Sequence, residues 1–240
     1  MNTSLIVGGS KGIGLEIANT FRKRGDKVYV LSRNKNNWDG DFIQADLSDM
    51  SSLEDALNFL RKNKIKIDYL VFSQKNRIDP KSLDMEMQIS LKATQFLIKD
   101  CIPDILSTGS VVFLGSPIGY FVMQDASVEY HICKAAFEQL ARYYAVQYGK
   151  YGIRFNTVLP STTVLKEANR AFFDEHPKIT DMLKKISPLK KISESQDVAN
   201  AVGFFCSDQS TFITGQTLAV DGGQSLVAHE GVARQLVEIS

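Results

Sequence analysis

The sequence predicts an α/β domain of 240 residues, in which a seven-stranded parallel sheet is doubly wound with helices on both faces. Two observations predict it. Short apolar runs rich in Val, Ile, Leu and Phe alternate with stretches of helical periodicity, the signature of βαβ units. A glycine-rich turn, Gly8-Gly9-Ser10-Lys11-Gly12-Ile13-Gly14, separates the first apolar run from the first helical one. Taking the elements in order, residues 4–7 form the first strand, and Leu15, Ile17, Ala18 and Phe21 then recur at helical spacing until Gly25 supplies a C-terminal stop. Residues 27–31, 42–45, 67–72 and 110–114 read as the next four strands, with helices over 51–62 and 83–101. A helix over 126–149 precedes the sixth strand at 154–159, a long loop at 161–192, a helix at 194–206 and the last strand at 217–220. Ser193 and Gln196 fit a capping box for the 194–206 helix. Between the second and third strands, Asn34, Asn36, Asn37, Asp39 and Gly40 are poor helix formers, so that crossover is expected to shrink to a loop or a single turn. With no repeat, low-complexity segment or linker, residues 1–240 read as a single domain ending in a tail at 225–240.

Composition narrows the function. The chain is 44% hydrophobic, enough for a sizeable core, and its formal charge of +1 gives no basic surface for tracking nucleic-acid phosphates, so no nucleic-acid partner is expected. Met1 runs within a few residues into an apolar strand without a basic leader or cleavage signal, and no apolar run is long enough to span a bilayer. A soluble, cytoplasmic protein is the expectation. Cys101, Cys133 and Cys206 read as buried inert thiols, and His131, His176 and His229 lack metal-ligand spacing, so no metal site is expected.

Chemistry enters at Tyr130. Of the eight tyrosines it alone has a lysine four residues on, Lys134, and on a helix that spacing puts both side chains on one face, one turn apart. A nearby ammonium lowers a phenol's pKa from about 10. The pair also fits a plain surface Tyr and Lys, and its meaning depends on context. The glycine turn lies where backbone N–H groups and the positive end of a helix dipole would receive a pyrophosphate. Its glycines, Gly8, Gly12 and Gly14, follow G-x-x-x-G-x-G, not G-x-G-x-x-G.

With that spacing, Tyr130-x-x-x-Lys134, the upstream Ser116, and the late run Phe212-Ile213-Thr214-Gly215-Gln216 through Val220-Asp221-Gly222-Gly223, the chain resembles the short-chain dehydrogenase/reductase family over residues 4–224. The resemblance implies a Rossmann-type domain that binds a nicotinamide dinucleotide and moves hydride between it and a small-molecule carbonyl or secondary alcohol. In that reading Tyr130 is the general acid and base, Lys134 holds the nicotinamide ribose and depresses the tyrosine pKa, Ser116 fixes the substrate oxygen, and Ser90 occupies the place of the asparagine that holds a relay water. It further implies cofactor contacts from Gly8, Ser10, Lys11, Gly12, Ile13 and Gly14 in the phosphate loop. Ser73 after the fourth strand, and Pro160 and Thr163 after the sixth, would add to these, with Asn156 framing the nicotinamide pocket. Asp46 and Leu47 match the pair that contacts adenine, although Asp46 equally fits a turn or N-cap aspartate. Trp38, the only tryptophan, either covers the sheet flank left by the short crossover or lies near adenine.

An acidic residue at the end of the second strand would bind ribose hydroxyls and repel a 2′-phosphate. Ser32 stands there instead, Arg33 follows it, and Lys11 precedes Gly12, so two cations converge on a 2′-phosphate and NADPH is the expected cofactor. Three departures stand out: Val7 replaces a threonine before the loop, Phe72-Ser73-Gln74-Lys75 replaces Asn-Asn-Ala-Gly, and Ser90 replaces the relay asparagine. The last two motivate a second reading, a cofactor-binding regulator or subunit with lost or altered chemistry. The 161–192 loop, with Leu165, Phe172, Phe173 and Met182 beside Lys166, Arg170 and Lys178, is expected to be a substrate lid, and Phe121 and Met123 precede the tyrosine helix. Lys75 and Arg77 tilt the substrate slightly toward a polar or anionic compound. By resemblance, pairing through the 83–101 and 126–149 helices implies a homodimer or homotetramer. Met85, Met87, Ile89, Leu91 and Phe96 give the first of these more apolar surface than one core-facing stripe needs.

Overall fold

The computed structural model describes residues 1–237, the side chains of 104–108 excepted. Its strands are β1 (Thr3–Val7), β2 (Lys27–Ser32), β3 (Asp41–Gln44), β4 (Ile67–Phe72), β5 (Ile105–Leu114), β6 (Arg154–Pro160), β7 (Val164–Leu165), β8 (Ser193–Glu194) and β9 (Thr217–Val220). Seven of them form an all-parallel sheet in the order β3-β2-β1-β4-β5-β6-β9, while β7 and β8 pair only with each other. The chain therefore starts at β1, steps outward to β3, and returns to build the other half from β4. A ligand crevice belongs where that order reverses, at the carboxyl ends of β1 and β4.

The strands are nearly continuous apolar runs because helices cover both faces. Alternate residues of each strand feed opposite faces, as the pleat requires. Leu5, Val7, Leu31, Phe72, Phe113 and Phe155 join one buried cluster, and Ile6, Val30, Val71, Val112 and Val158 the other. The first face holds α2 (Met50–Lys62), α3 (Leu83–Met87), α4 (Ala93–Cys101) and α5 (Val128–Tyr148). On the second, α1 (Gly12–Lys23) packs on α8 (Ser195–Phe205). Phe113 stacks on Phe72 at 5.4 Å and meets Phe137 of α5 at 5.6 Å, which fixes the tyrosine helix against the sheet.

Several expectations change. The 83–101 helix is real but carries a π-turn at Gln88–Lys92 between α3 and α4. The fifth strand begins earlier, at Ile105, and α5 begins at Val128 behind its N-cap Ser127. The 161–192 loop contains α6 (Glu167–Glu175) and α7 (Pro177–Ile186). Pro177 at the first turn of α7 was the available signal. The capping residue of α8 is Glu194, whose N–H donates to Asp197 at 2.9 Å; Ser193 stands one residue before it, its Oγ buried without a partner. The tail holds α9 (His229–Leu236), and residues 238–240 lie outside the described residues.

The crossover between β2 and β3 is indeed non-helical. Trp38 covers the flank: it is 2% exposed in the second cluster, its Nε1 donates to the Asp41 carbonyl at 2.8 Å, and the Arg22 guanidinium lies 4.9 Å from its ring centre. All three cysteines are buried, and burial pushes the Cys206 thiol up to about 12. Among the described residues no helix is long and apolar enough to cross a membrane.

The glycine turn is closely packed. A Cβ on Gly14 would lie 2.3 Å from the Gly8 carbonyl oxygen, and Gly8 itself, at φ +80°, passes against the backbone of Gln74. Backbone cannot yield as a flexible side chain does, so Gly14→Ala is expected to cost about 1–3 kcal/mol. Gly203 in α8, whose nearest neighbours would be 3.8 Å away, tolerates the same change. Urea unfolding compares the two, and an unshifted midpoint for Gly14→Ala would show that the loop relaxes freely.

Candidate active site

The phosphate loop follows directly from the β1 ladder. Gly8 N–H donates to the Leu31 carbonyl and Ser73 N–H to the Val7 carbonyl, both at 2.8 Å, so the ends of β1, β2 and β4 are tied together where the crevice opens. Lys11 is the extended N-cap of α1, and no acidic residue stands in that helix's first turn, leaving its positive end uncompensated. Asn36, in the left-handed region at φ +45°, donates to Ser10 Oγ at 2.8 Å and binds the β2–β3 loop to the phosphate loop.

Beside it runs a cleft lined by Ser10, Lys11, Ser32, Arg33, Asp46 and Leu47, so the residues expected around the adenosine do converge. Ser32 Oγ donates to the Asn34 carbonyl at 2.8 Å. Asp46 Oδ1 accepts from the Ser48 N–H at 2.9 Å and hydroxyl at 2.7 Å, so this aspartate shapes its own turn while the residue also lines the cleft.

The second half of the site is a cavity of about 520 Å³ that opens from the loop. Gly12, Ile13, Gly14, Ser73, Ser116, Tyr130, Lys134 and Pro160 all reach its wall. Ser116 follows the carboxyl end of β5, where its Oγ accepts from Ile118 N–H. Ser127 Oγ accepts from Tyr130 N–H at 3.3 Å, so the N-cap of α5 fixes the tyrosine's own backbone. His131 pins the preceding loop by accepting from Met123 N–H at 3.1 Å.

Electrostatics here differ from the expectation of a depressed phenol. Burial pushes the Tyr130 phenol above its ordinary value; the Ser116 hydrogen bond pulls it back and Glu86 adds to the rise. Lys134 is buried, with Nζ donating to the Leu114 carbonyl at 2.9 Å and lying 5.7 Å from the Tyr130 ring centre. Burial pushes its ammonium down to about 8, against the pull of Glu86. The lysine thus keeps its proton at neutral pH but is turned toward a carbonyl, and burial governs the tyrosine. Lys75 stands closer, 4.7 Å from the Tyr130 ring centre, and burial and Arg77 lower its pKa.

Three expected residues sit elsewhere. Ser90 is 1% exposed and its hydroxyl donates to Glu86 Oε1 at 2.8 Å, so it stands behind the cavity wall. Thr163 faces a separate small cleft with Leu183 and Ser187, because neighbours in an extended segment point opposite ways and Thr162 takes the cavity side. Asn156 is spent on structure, donating to the Ile213 carbonyl at 2.9 Å and accepting from Gln216 N–H at 3.0 Å. Phe121 lines an adjoining apolar cleft with Val227 and Val232 of the tail, while Phe172 stacks on His176 at 4.3 Å, so the aromatics of the 161–192 segment are partly committed within it. Sequence reasoning missed Glu86, Asn36 and the cavity role of Lys166, which lies within 3.7 Å of where a Gly12 Cβ would be. The available signal for Glu86 was its place one turn before Ser90.

The residues fit a dinucleotide. The glycine cradle, the uncompensated helix end and the cations of the cleft suit phosphates, and Gln74 Oε1 is a buried acceptor without a partner in the wall shared by cleft and cavity. A family model described as enoyl-(acyl carrier protein) reductase matches residues 7–225. An uncharacterised oxidoreductase of Schizosaccharomyces pombe is 30% identical, covering 91% of this chain and 89% of its own. An A-factor type gamma-butyrolactone 1'-reductase of Streptomyces virginiae is 26% identical, covering 93% and 95%. Among solved structures, a short-chain dehydrogenase family protein of Francisella tularensis superposes with a TM-score of 0.82 at 25% identity, over 95% of this chain and 100% of that one.

Proposed function

The chain belongs to the short-chain dehydrogenase/reductase family of oxidoreductases, which use a nicotinamide cofactor, and from that premise we propose that it transfers hydride between NADPH and a small-molecule carbonyl, with Tyr130 as general acid. The observation that carries the reading is the meeting of Ser116, Tyr130 and Lys134 on one cavity continuous with the phosphate loop. The cofactor would be held by the Gly8–Gly14 backbone, Ser73 and Pro160, with its adenosine end in the cleft of Lys11, Arg33, Asp46 and Leu47. When bound it supplies hydride to the carbonyl carbon. Tyr130 Oη gives its proton to the developing alkoxide, and the Ser116 hydroxyl orients the substrate oxygen beside it. A phenol held protonated by burial is suited to the reducing direction, and the relative from Streptomyces virginiae is by name a reductase.

A cofactor-consumption screen with NADPH and NADH against a panel of ketones tests this, with Tyr130→Phe as control. Turnover lost in the variant supports it. Cofactor binding without turnover of any carbonyl supports the regulator reading, which Ser90 and Phe72 to Lys75 motivate.

We further propose a homo-oligomer. Met85 and Phe96 are partly packed on the core, so the spare apolar surface lies on α5, where Val128, Ile132, Tyr143 and Val146 are 63%, 50%, 56% and 80% exposed. Light scattering at micromolar concentration should give a multiple of the chain mass. A monomer there overturns the assignment.

A further inference from the structure

Glu86 is a carboxylate without the partner such a group ordinarily has. Asp26, Glu86 and Glu138 are the described carboxylates that are buried. Asp26 pairs with Arg24 at 2.6 Å, and Glu138 pairs with Arg142 at 3.5 Å while also accepting from the Tyr120 hydroxyl. Glu86, 1% exposed, has one direct partner among the described residues, the neutral hydroxyl of Ser90. Buried charges are retained where a counter-charge faces them. Its charge is felt by Lys75 from the loop after β4 and by Tyr130, Cys133 and Lys134 from α5, and Arg77 lines the same cavity. Lys134 is the buried cation among these.

Local structure makes the placement specific. Glu86 is the penultimate residue of the short α3, and the π-turn at Gln88–Lys92 carries Ser90, one turn on, against it. Such turns often sit at functional sites. Because the Ser90 hydroxyl is directed at Glu86, the Glu86 carboxyl reaches the cavity wall and Ser90 does not.

We propose that Glu86 is a positioning residue of the hydride-transfer site, the buried counter-charge that Ser90 orients and that holds the ammonium of Lys134 and the proton of Tyr130 in place. The assignment deepens the reading of the site given above and rests on it for its role in turnover. Its electrostatic consequence has one sign. The carboxylate favours the protonated forms of both Lys134 and Tyr130, so neutralising it lets both release protons at lower pH. Reduction needs both protonated, so the alkaline limb of its pH profile moves toward acid.

Glu86→Gln removes the charge and keeps an acceptor for Ser90. On the full chain without cofactor, the tyrosinate absorbance of each protein minus that of its Tyr130→Phe counterpart isolates Tyr130. It should ionise about one pH unit lower in Glu86→Gln, the scale for a charge a few ångströms away. Glu86→Asp, which keeps the charge, should stay near the wild type. Glu86→Leu repeats the measurement with an apolar side chain of similar size, so the test survives if the amide does not fold. The alkaline limb of NADPH-dependent reduction should move with the titration. Coincident titrations for wild type, Gln and Leu, or an Asp variant that shifts as far as Gln, overturn the proposal. If the titration shifts but the wild type reduces no carbonyl, the counter-charge stands and the hydride-transfer reading fails.

Discussion

Tyr130→Phe is expected to lower turnover by about 10²-fold or more, the usual cost of losing a general acid. The ring keeps its packing, and Lys75 keeps an aromatic face to lie against, so the fold and cofactor affinity should hardly move. What disappears is the phenolic hydroxyl, with its proton and its hydrogen bond to Ser116. The same geometry sets the pH dependence. Burial raises the phenol, so it stays protonated through neutral pH and reduction should hold there; the Lys134 ammonium, at about 8, is lost first as pH rises. Reduction rates across pH 6 to 10 check this, and a variant that keeps most of its rate on the true substrate removes Tyr130 from the role.

Arg33→Ala is expected to weaken NADPH binding by about tenfold or more while leaving NADH nearly unchanged. Charge-assisted bonds contribute about 1.5–3 kcal/mol each, and the exposed position of Arg33 puts it at the low end. Ser32→Asp should go further and reverse the preference, by setting a carboxylate against the 2′-phosphate and offering it to the ribose hydroxyls. The short β2–β3 loop favours this outcome, because Asn36 fixes it to Ser10 and both Lys11 and Arg33 face the same cleft. Fluorescence titration with each cofactor decides it. Equal affinity of the wild type for NADH and NADPH would make the two cations ordinary surface charges.

Much of this architecture is legible in the chain because it depends on short-range pattern. The parallel strands announce themselves as apolar runs, the glycine turn as a spacing, and the Tyr130–Lys134 pair as one helical turn. The absent crossover helix is equally readable, since Asn34, Asn36 and Asn37 disfavour it. What stays hidden depends on neighbours distant in sequence. The phenol's burial comes from packing, and no local pattern states that it outweighs an adjacent lysine. Thr163 was misplaced because one residue of register in an extended segment decides which cavity a side chain meets. Glu86 was missed because a glutamate in a helix ordinarily faces water, and only the fold turns this one inward.

Trp38 has a practical consequence. Being the sole indole of the chain, buried yet hung on the loop that carries Asn36, it is a built-in optical reporter for the adenosine end of the site. Its emission belongs to one position and needs no label to be interpreted. Because its ring covers the sheet flank where a helix would otherwise lie, wetting of that ring means that the flank has lifted and that the loop bearing Arg33 has left its place. The economy of an eight-residue crossover thus makes the order of the cleft visible in the colour of a single side chain's light.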